Sequence, residues 1–241
     1  LKQQPVLSII VTALNEEKNV ASFMAKLREC LEENNINHEV IFVDDGSSDR
    51  TFDEVCQLPP WSALKVLRLS SNLGSGGAIK EALKIAQGEW YGWLPCDLEI
   101  MPSEILYPFS LRSQSDVVVT FFNNGQGTRN WLRRILSPFF TGIINTCFQY
   151  NIPYYNGFSL IRRELIIPGE VRSNGFFFHA ELLIRTIAKT NKVVSAPIRL
   201  TPRQAGHTKA ISFKVFRDVI SCFLHTIWDL KFRFRGKSAL P

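Results

Sequence analysis

Acidic and polar side chains gather where three apolar runs of the chain stop. LSIIVTAL (Leu7–Leu14) gives way to Asn15 and Glu16, and EVIFVDD (Glu39–Asp45) ends in Asp44-Asp45-Gly46-Ser47-Ser48-Asp49. EWYGWLP (Glu89–Pro95) runs into Cys96-Asp97-Leu98-Glu99. A carboxylate can accept a base N–H or a ribose hydroxyl, and two more can hold a hard divalent cation against a diphosphate. Each group also has a simpler reading. Asp-Asp-Gly-Ser-Ser-Asp is good turn chemistry, with Ser48 or Asp49 capping the next helix, and Asp97 with Glu99 could be a solvated loop. Asn72-Leu73-Gly74-Ser75-Gly76-Gly77 is glycine-rich but matches neither common phosphate-loop pattern. The combination at successive run ends says more than any part.

These ends need a scaffold that brings them together. Further apolar runs of strand length are KVLRL (Lys65–Leu69) and DVVVTFF (Asp116–Phe122), and residues Glu16–Glu33 and Gly77–Ala86 read as helices at 3.6-residue period. Continuous apolar strands alternating with helices predict an α/β fold, a mostly parallel central sheet covered by helices on both faces. Ligands of such sheets bind beyond the carboxyl ends of the strands. No GxGxxG follows the first strand, which disfavours a dinucleotide-binding dehydrogenase domain.

Composition narrows the partners. The 241 residues are 45% hydrophobic and 21% charged, so a sizeable core can form. The net charge of +6 is concentrated at one end. From Arg199 onward nine Lys/Arg face only Asp218 and Asp229, leaving 19 basic and 20 acidic groups in the first 198 residues. That is a near-neutral body with a basic end, not a nucleic-acid binder. The five cysteines are odd in number, widely spaced and without a CxxC, so a reducing, cytoplasmic setting is expected. No run of 18 apolar residues occurs.

In this order the segments resemble the family-2 glycosyltransferases of the GT-A fold, most of all the branch with dolichyl-phosphate mannose synthases and bacterial polyprenyl-phosphate glycosyltransferases. LSIIVTALNEEKNV is similar to the family's opening strand and NE pair, and VDDGSSDRT to its second motif. NLGSGGAIKEALKIAQGEW, YNGFSLIRREL, FFFHAELLIRTI and APIRLTPRQAGHTKA match later blocks, so the likeness runs from about Leu7 to Lys209. It implies that Thr12, Ala13, Leu14 and Glu16 line a nucleoside pocket, with Asp45 on the base and Val43 beside it. It implies Asp97 as the metal-binding carboxylate, assisted by Glu99, with Mg2+ or Mn2+ as cofactor. Pro95 stands where the family's first metal-motif Asp is common. Arg134 and Ser137 match an acceptor-helix feature, and Arg203 with Lys209 match an Arg…Lys segment serving the donor diphosphate and acceptor phosphate. Thr120-Phe121-Phe122 replaces a frequent Ser-Arg, and the absence of Gln-x-x-Arg-Trp argues against a processive polysaccharide synthase.

The implied activity is inverting transfer of one hexose from a nucleotide-sugar, of GDP-mannose or UDP-glucose type, to a polyprenyl or dolichyl phosphate. Asp97 and Arg203 would serve the departing diphosphate. The alternatives are transfer to a sugar or protein hydroxyl, and a non-catalytic nucleotide-sugar-binding member. Only a hydroxyl acceptor requires a base; Glu181 matches the family's helix Glu there, and its simpler role is pairing with Arg185 at i+4. His179 and His207 are expected to pack or hydrogen-bond. Residues 1–210 would form the catalytic domain. Residues 211–241 would form an amphipathic helix, with Phe213, Phe216, Ile220, Phe223, Ile227 and Leu230 on its apolar face, and a basic tail. That segment would either dock on the domain or lie on the cytosolic face of a membrane.

Overall fold

The computed structural model describes residues 4–123, 131–167, 169–201 and 213–233, with side chains of 131–136, 213–218 and 232–233 outside the description. The strands are β1 (Leu7–Ala13), β2 (His38–Asp44), β3 (Leu64–Arg68), β4 (Trp90–Pro95), β5 (Val117–Phe122), β6 (Ser159–Arg162) and β7 (Val193–Ile198). The helices are α1 (Val20–Glu33), α2 (Thr51–Cys56), α3 (Gly74–Leu83), α4 (Leu106–Ser110), α5 (Trp131–Phe148), α6 (Phe178–Ile187) and α7 (Phe213–Trp228).

The strands form one sheet in the order β3-β2-β1-β4-β6-β5-β7. Pairs β1/β2, β1/β4, β2/β3 and β5/β7 are parallel, and β6 runs antiparallel to both β4 and β5. The sheet is therefore mostly parallel and flanked by helices, as the alternation of apolar runs predicts. The antiparallel β6 is an addition: four residues inside a segment whose local pattern did not announce a strand.

Burial explains the unbroken apolar runs. All seven residues of β1 are buried. Leu7, Ile9, Val11 and Ala13 enter a core with Phe23, Met24, Leu27 and Leu31 of α1, whereas Ile10 enters a second core with α3 and α6. A strand buried on both faces is apolar at most positions, and a polar side chain there, such as Ser8 against Glu39, must find its partner inside. The helix expected from Glu16 starts only at Val20. Its first residues are held as a loop instead, because the Glu16 N–H donates to Thr51 Oγ1 at 2.8 Å and the Glu17 N–H to Asp49 Oδ2 at 3.2 Å.

At the amino ends of the strands, buried Glu39 accepts from Ser8 Oγ and Lys65 Nζ, both at 2.6 Å, and from the Gln87 and Gly88 N–H groups. Burial alone would push its carboxyl up; the bonds from Lys65, Ser8 and Gln87 outweigh that and hold it below the ordinary range. This carboxylate ties β1, β2, β3 and the α3–β4 loop together, far from the ends where Asp45 and Asp97 lie.

The C-terminal helix α7 packs on the second core through Val219, Cys222 and Phe223, with Leu230 beyond its end, while Thr226 and Asp229 are buried. The docked face is rotated from the expected one, since Ile220 is exposed together with Leu224 and Trp228. No helix among the described residues is long and apolar enough to cross a membrane.

Candidate active site

Register brings the three strand ends level. Thr12 pairs with Val43 on one side and Pro95 on the other, and Ala13 pairs with Asp44. One residue further, the Asp45 N–H donates to the Ala13 carbonyl at 2.9 Å and the Cys96 N–H to the Thr12 carbonyl at 3.1 Å. The chain passes from β1 to β2 and β3 on one side, then returns to β4 on the other. The point between β1 and β4 is thus the topological switch, where a crevice opens in α/β sheets.

The two aspartates after β2 divide the work. Asp44 is fully buried; its Oδ1 accepts from the Ser47 N–H at 3.0 Å, and its Oδ2 lies 3.5 Å from Arg68 Nε. It shapes the turn that Gly46 completes at φ 73°, where a Cβ would meet the Ser71 carbonyl carbon at 2.7 Å. Asp45 is nearly buried at the crevice and accepts the Leu73 N–H at 2.7 Å, which draws the glycine-rich loop before α3 toward the site. Asp49 is the turn and lacing residue that the simpler reading described. It accepts from the Thr51 N–H and from Glu17, and those bonds outweigh burial to hold its carboxyl below the ordinary range. Asn15, at φ 58°, donates its N–H to Ser47 Oγ and accepts from the Ser48 N–H at 2.9 Å. The loops after β1 and β2 are therefore one laced wall.

After β4, Asp97 and Glu99 are both half-buried, with buried Cys96, Leu98 and Ile100 beside them. Asp97 Oδ1 accepts the Glu99 N–H at 3.1 Å, and Leu98 takes a left-handed φ of 59°. Such a backbone costs a leucine about 1–2 kcal/mol and persists only where the surroundings enforce it. Thr201, beyond β7, does so by donating its N–H to the Glu99 carbonyl at 2.9 Å and its hydroxyl to the Leu98 carbonyl.

The expected site residues thus fall into groups. Thr12, Leu14, Glu16, Asp45, Asp97 and Glu99 share one end of the sheet. Val43 and Ala13, expected at the same pocket, lie directly beside these ends with their side chains buried in the second and first cores. Ser137 is half-buried on α5. The Arg134 side chain, Arg203, His207 and Lys209 lie outside the described residues.

Glu181 is elsewhere in character. It is fully buried, and its two oxygens accept the Arg172 N–H at 3.1 Å, the Ser173 N–H at 2.9 Å and Arg185 Nε at 2.9 Å. Arg185 in turn reaches Asp229 Oδ2 at 2.9 Å. A general base needs a lone pair turned to substrate; those of Glu181 are taken by Arg185 of α6 and by the Arg172 and Ser173 N–H groups of the loop before it. The i+4 pairing that the sequence offered is present and is part of a larger network that spacing did not reveal, because Asp229 is 44 residues from Arg185.

Near the start of α6, His179 stacks on Trp93 of β4, ring centroids 3.8 Å apart and planes 13° from parallel. Burial holds the imidazole neutral, with its pKa lowered to about 3. Sequence reading expected a packing or hydrogen-bonding histidine; its aromatic partner had no local signal.

Residues 8–167 match Glycosyl transferase family 2. The chain belongs to this family. It is a family 2 glycosyltransferase of GT-A fold. It is similar to the dolichol-phosphate mannosyltransferase of Pyrococcus furiosus, 24% identical over 254 residues that cover 97% of this chain and 69% of the relative. It is also similar to an undecaprenyl-phosphate 4-deoxy-4-formamido-L-arabinose transferase of Edwardsiella ictaluri, 24% identical across 91% of this chain and 68% of the relative. Among solved structures, glucosyl-3-phosphoglycerate synthase from Mycobacterium tuberculosis, in complex with Mn2+, uridine-diphosphate-glucose and phosphoglyceric acid, superposes with a TM-score of 0.68. That comparison has 17% identity over 92% of this chain and 80% of that one, and it speaks for the fold alone.

Described His, Cys, Asp and Glu side chains form no cluster of three able to hold a metal ion. The donor set at the end of β4 is two carboxylates. This suits a cation such as Mg2+, which is commonly bound by one or two carboxylates and completes its shell with substrate phosphates and water.

Proposed function

We propose that this glycosyltransferase moves one hexose, with inversion, from a nucleoside-diphosphate sugar of GDP-mannose or UDP-glucose type to a polyprenyl or dolichyl phosphate. The observation that carries the reading is the level ending of β1, β2 and β4, which gathers Asp45, Glu16 and Asp97 around one switch point. Asp45 accepts from the base, the Thr12–Glu16 wall borders the nucleoside, and Asp97 with Glu99 holds Mg2+ or Mn2+. The cation, when bound, supplies Lewis-acid neutralisation of the departing diphosphate. Arg203 and Lys209 add positive charge there, and Arg134 and Ser137 orient the acceptor.

The named relatives support a lipid-phosphate acceptor, and so does the state of Glu181. A phosphate is already anionic at neutral pH and attacks without a strong base, whereas a hydroxyl requires one. With Glu181 closed inside its network, the carboxylate that would have served a hydroxyl acceptor is occupied. Inversion follows from attack on the face opposite the leaving diphosphate. Such an acceptor also calls for peripheral association with a membrane surface, in a cytosolic setting.

The test is calorimetric titration with GDP-mannose, UDP-glucose and related donors in Mg2+ or Mn2+, followed by transfer to a short polyprenyl phosphate and to the matching alcohol. Transfer to the phosphate alone is expected, and Asp97→Asn should nearly abolish it. Equal transfer to the alcohol rejects the acceptor assignment, and wild-type turnover by Asp97→Asn rejects the site.

A further inference from the structure

The C-terminal helix and the nucleotide crevice meet on one short segment, residues 172–177 before α6. Both ends of this strap are held by the C-terminal part of the chain. At one end Arg172 Nη2 lies 3.4 Å from the carboxylate oxygens of Asp229, the residue that follows α7. At the other end Phe177 meets Phe223 of α7 edge to face, ring centroids 6.0 Å apart. Between them the Arg172 and Ser173 N–H groups rest on Glu181, and Arg185 joins Glu181 to Asp229. Asp229 is buried, so its charge serves these two arginines.

The strap's other face grips the glycine-rich loop. The Asn174 carbonyl accepts the Gly76 N–H at 3.1 Å. A Cβ at Gly74 or Gly76 would lie 2.9 or 2.8 Å from that oxygen, so only glycines admit it. Lys80 Nζ donates to the Arg172 carbonyl at 3.1 Å and to Asn174 Oδ1 at 2.7 Å, a second tie on α3. The same loop gives its Leu73 N–H to Asp45, the carboxylate assigned to the base. We propose that Asp229 is a positioning residue for the donor: it seats the strap through Arg172 and Arg185, and the strap holds the loop that shapes the nucleotide pocket at Asp45. Nucleotide affinity therefore depends on the docked C-terminal helix. This inference rests on the donor reading above. Without the Asp229 carboxylate, the Arg185 guanidinium turns wholly to Glu181, whose charged pairing outcompetes the Arg172 and Ser173 N–H groups and frees the strap.

Calorimetric titration of the full chain in Mg2+ tests this, with GDP and UDP as probes. Asp229→Asn should weaken the nucleotide that wild type binds by about three- to tenfold, at unchanged stoichiometry. A merely structural loss would lower the number of sites per chain and leave Kd alone. Lys80→Met cuts the strap's tie to α3 with every ion pair of the network intact, and should weaken binding by a similar factor. It keeps the test open if Asp229→Asn does not fold. Lys80 stands about 9 Å along α3 from Gly74, away from the crevice, so it does not act by touching nucleotide. Glu39→Gln removes a buried carboxylate at the opposite end of the sheet and should leave Kd within about twofold of wild type. Hydrogen exchange of the ligand-free protein reads the strap by itself: the Leu73 and Gly76 amides should exchange faster in Asp229→Asn and Lys80→Met but not in Glu39→Gln. Unchanged Kd in the folded variants, or an equal loss in Glu39→Gln, overturns the proposal, and so does unchanged exchange. If wild type binds neither GDP nor UDP, the donor reading falls, and faster exchange still upholds the strap's hold on the loop.

Discussion

Replacing Glu181 by Gln separates an anchoring role from a catalytic one. The carboxylate is fully buried and accepts from two backbone N–H groups and from Arg185, whose side chain is only 4% exposed. A glutamine keeps the shape but turns an NH2 group toward one of those donors and leaves Arg185 with Asp229 as its remaining carboxylate. Removing one member of a buried, hydrogen-bonded ion pair costs about 3–5 kcal/mol. Because the 2.9 Å contact of Arg185 with Asp229 survives, the lower end, about 3 kcal/mol, is expected. For a chain of this length that lowers the melting temperature by about 6–12 °C. Urea unfolding followed by tryptophan fluorescence measures it directly, as a lower midpoint at unchanged slope. Turnover of the folded variant per active site should stay within about threefold of wild type, because no proton passes through Glu181 in the proposed reaction. A stability change under about 1 kcal/mol together with a thousandfold loss of turnover refutes the reasoning and restores Glu181 as a base for a hydroxyl acceptor.

Three other outcomes are expected. Gly76→Ala should cost about 1–3 kcal/mol and weaken donor binding, since a Cβ there would meet Phe178 Cβ and Cγ at 2.6 Å and the Asn174 carbonyl at 2.8 Å, prying α6 from α3; thermal melts and donor titration check both. His179 has a folded pKa of about 3 against an ordinary 6.5, so the unfolded chain binds a proton that the native one refuses between those values. Stability is therefore lost as pH falls below 6.5, by about 2 kcal/mol at pH 5, and urea midpoints for His179→Phe should lose that part of the pH dependence. Exposed Ile220, Leu224 and Trp228 recur every four residues on α7 and form a stripe beside its docked face. Leu224→Glu with Trp228→Glu should reduce flotation with anionic vesicles at unchanged melting temperature; equal recovery removes α7 from any membrane contact.

Much of the sheet was legible because its signal is local. A strand covered on both faces is apolar at most positions, so β1, β2, β4 and β5 stood out, and the polar residues at their ends could be located from where the runs stopped. The four residues of β6 were not legible. They are too short to carry a pattern, and their direction is set by antiparallel pairing with β4 and β5.

The sequence by itself determined that Glu16, Asp45 and Asp97 follow the ends of apolar strands, since run length fixes where each strand stops; that β4 returns to lie beside β1 was decided by the sheet. Tertiary structure alone decided what each acidic group is free to do. Asp44 and Asp45 are chemically identical neighbours, yet one closes a turn against Ser47 and Arg68 and the other faces the crevice. Glu181 matched a functional position, yet Arg172, Ser173 and Arg185 occupy it. The apolar residues of α7 could form several faces, and the second core selected Val219, Cys222 and Phe223. In each case the deciding partner is far away in the chain, and the lone pairs and surface left to a side chain depend on partners that only folding supplies.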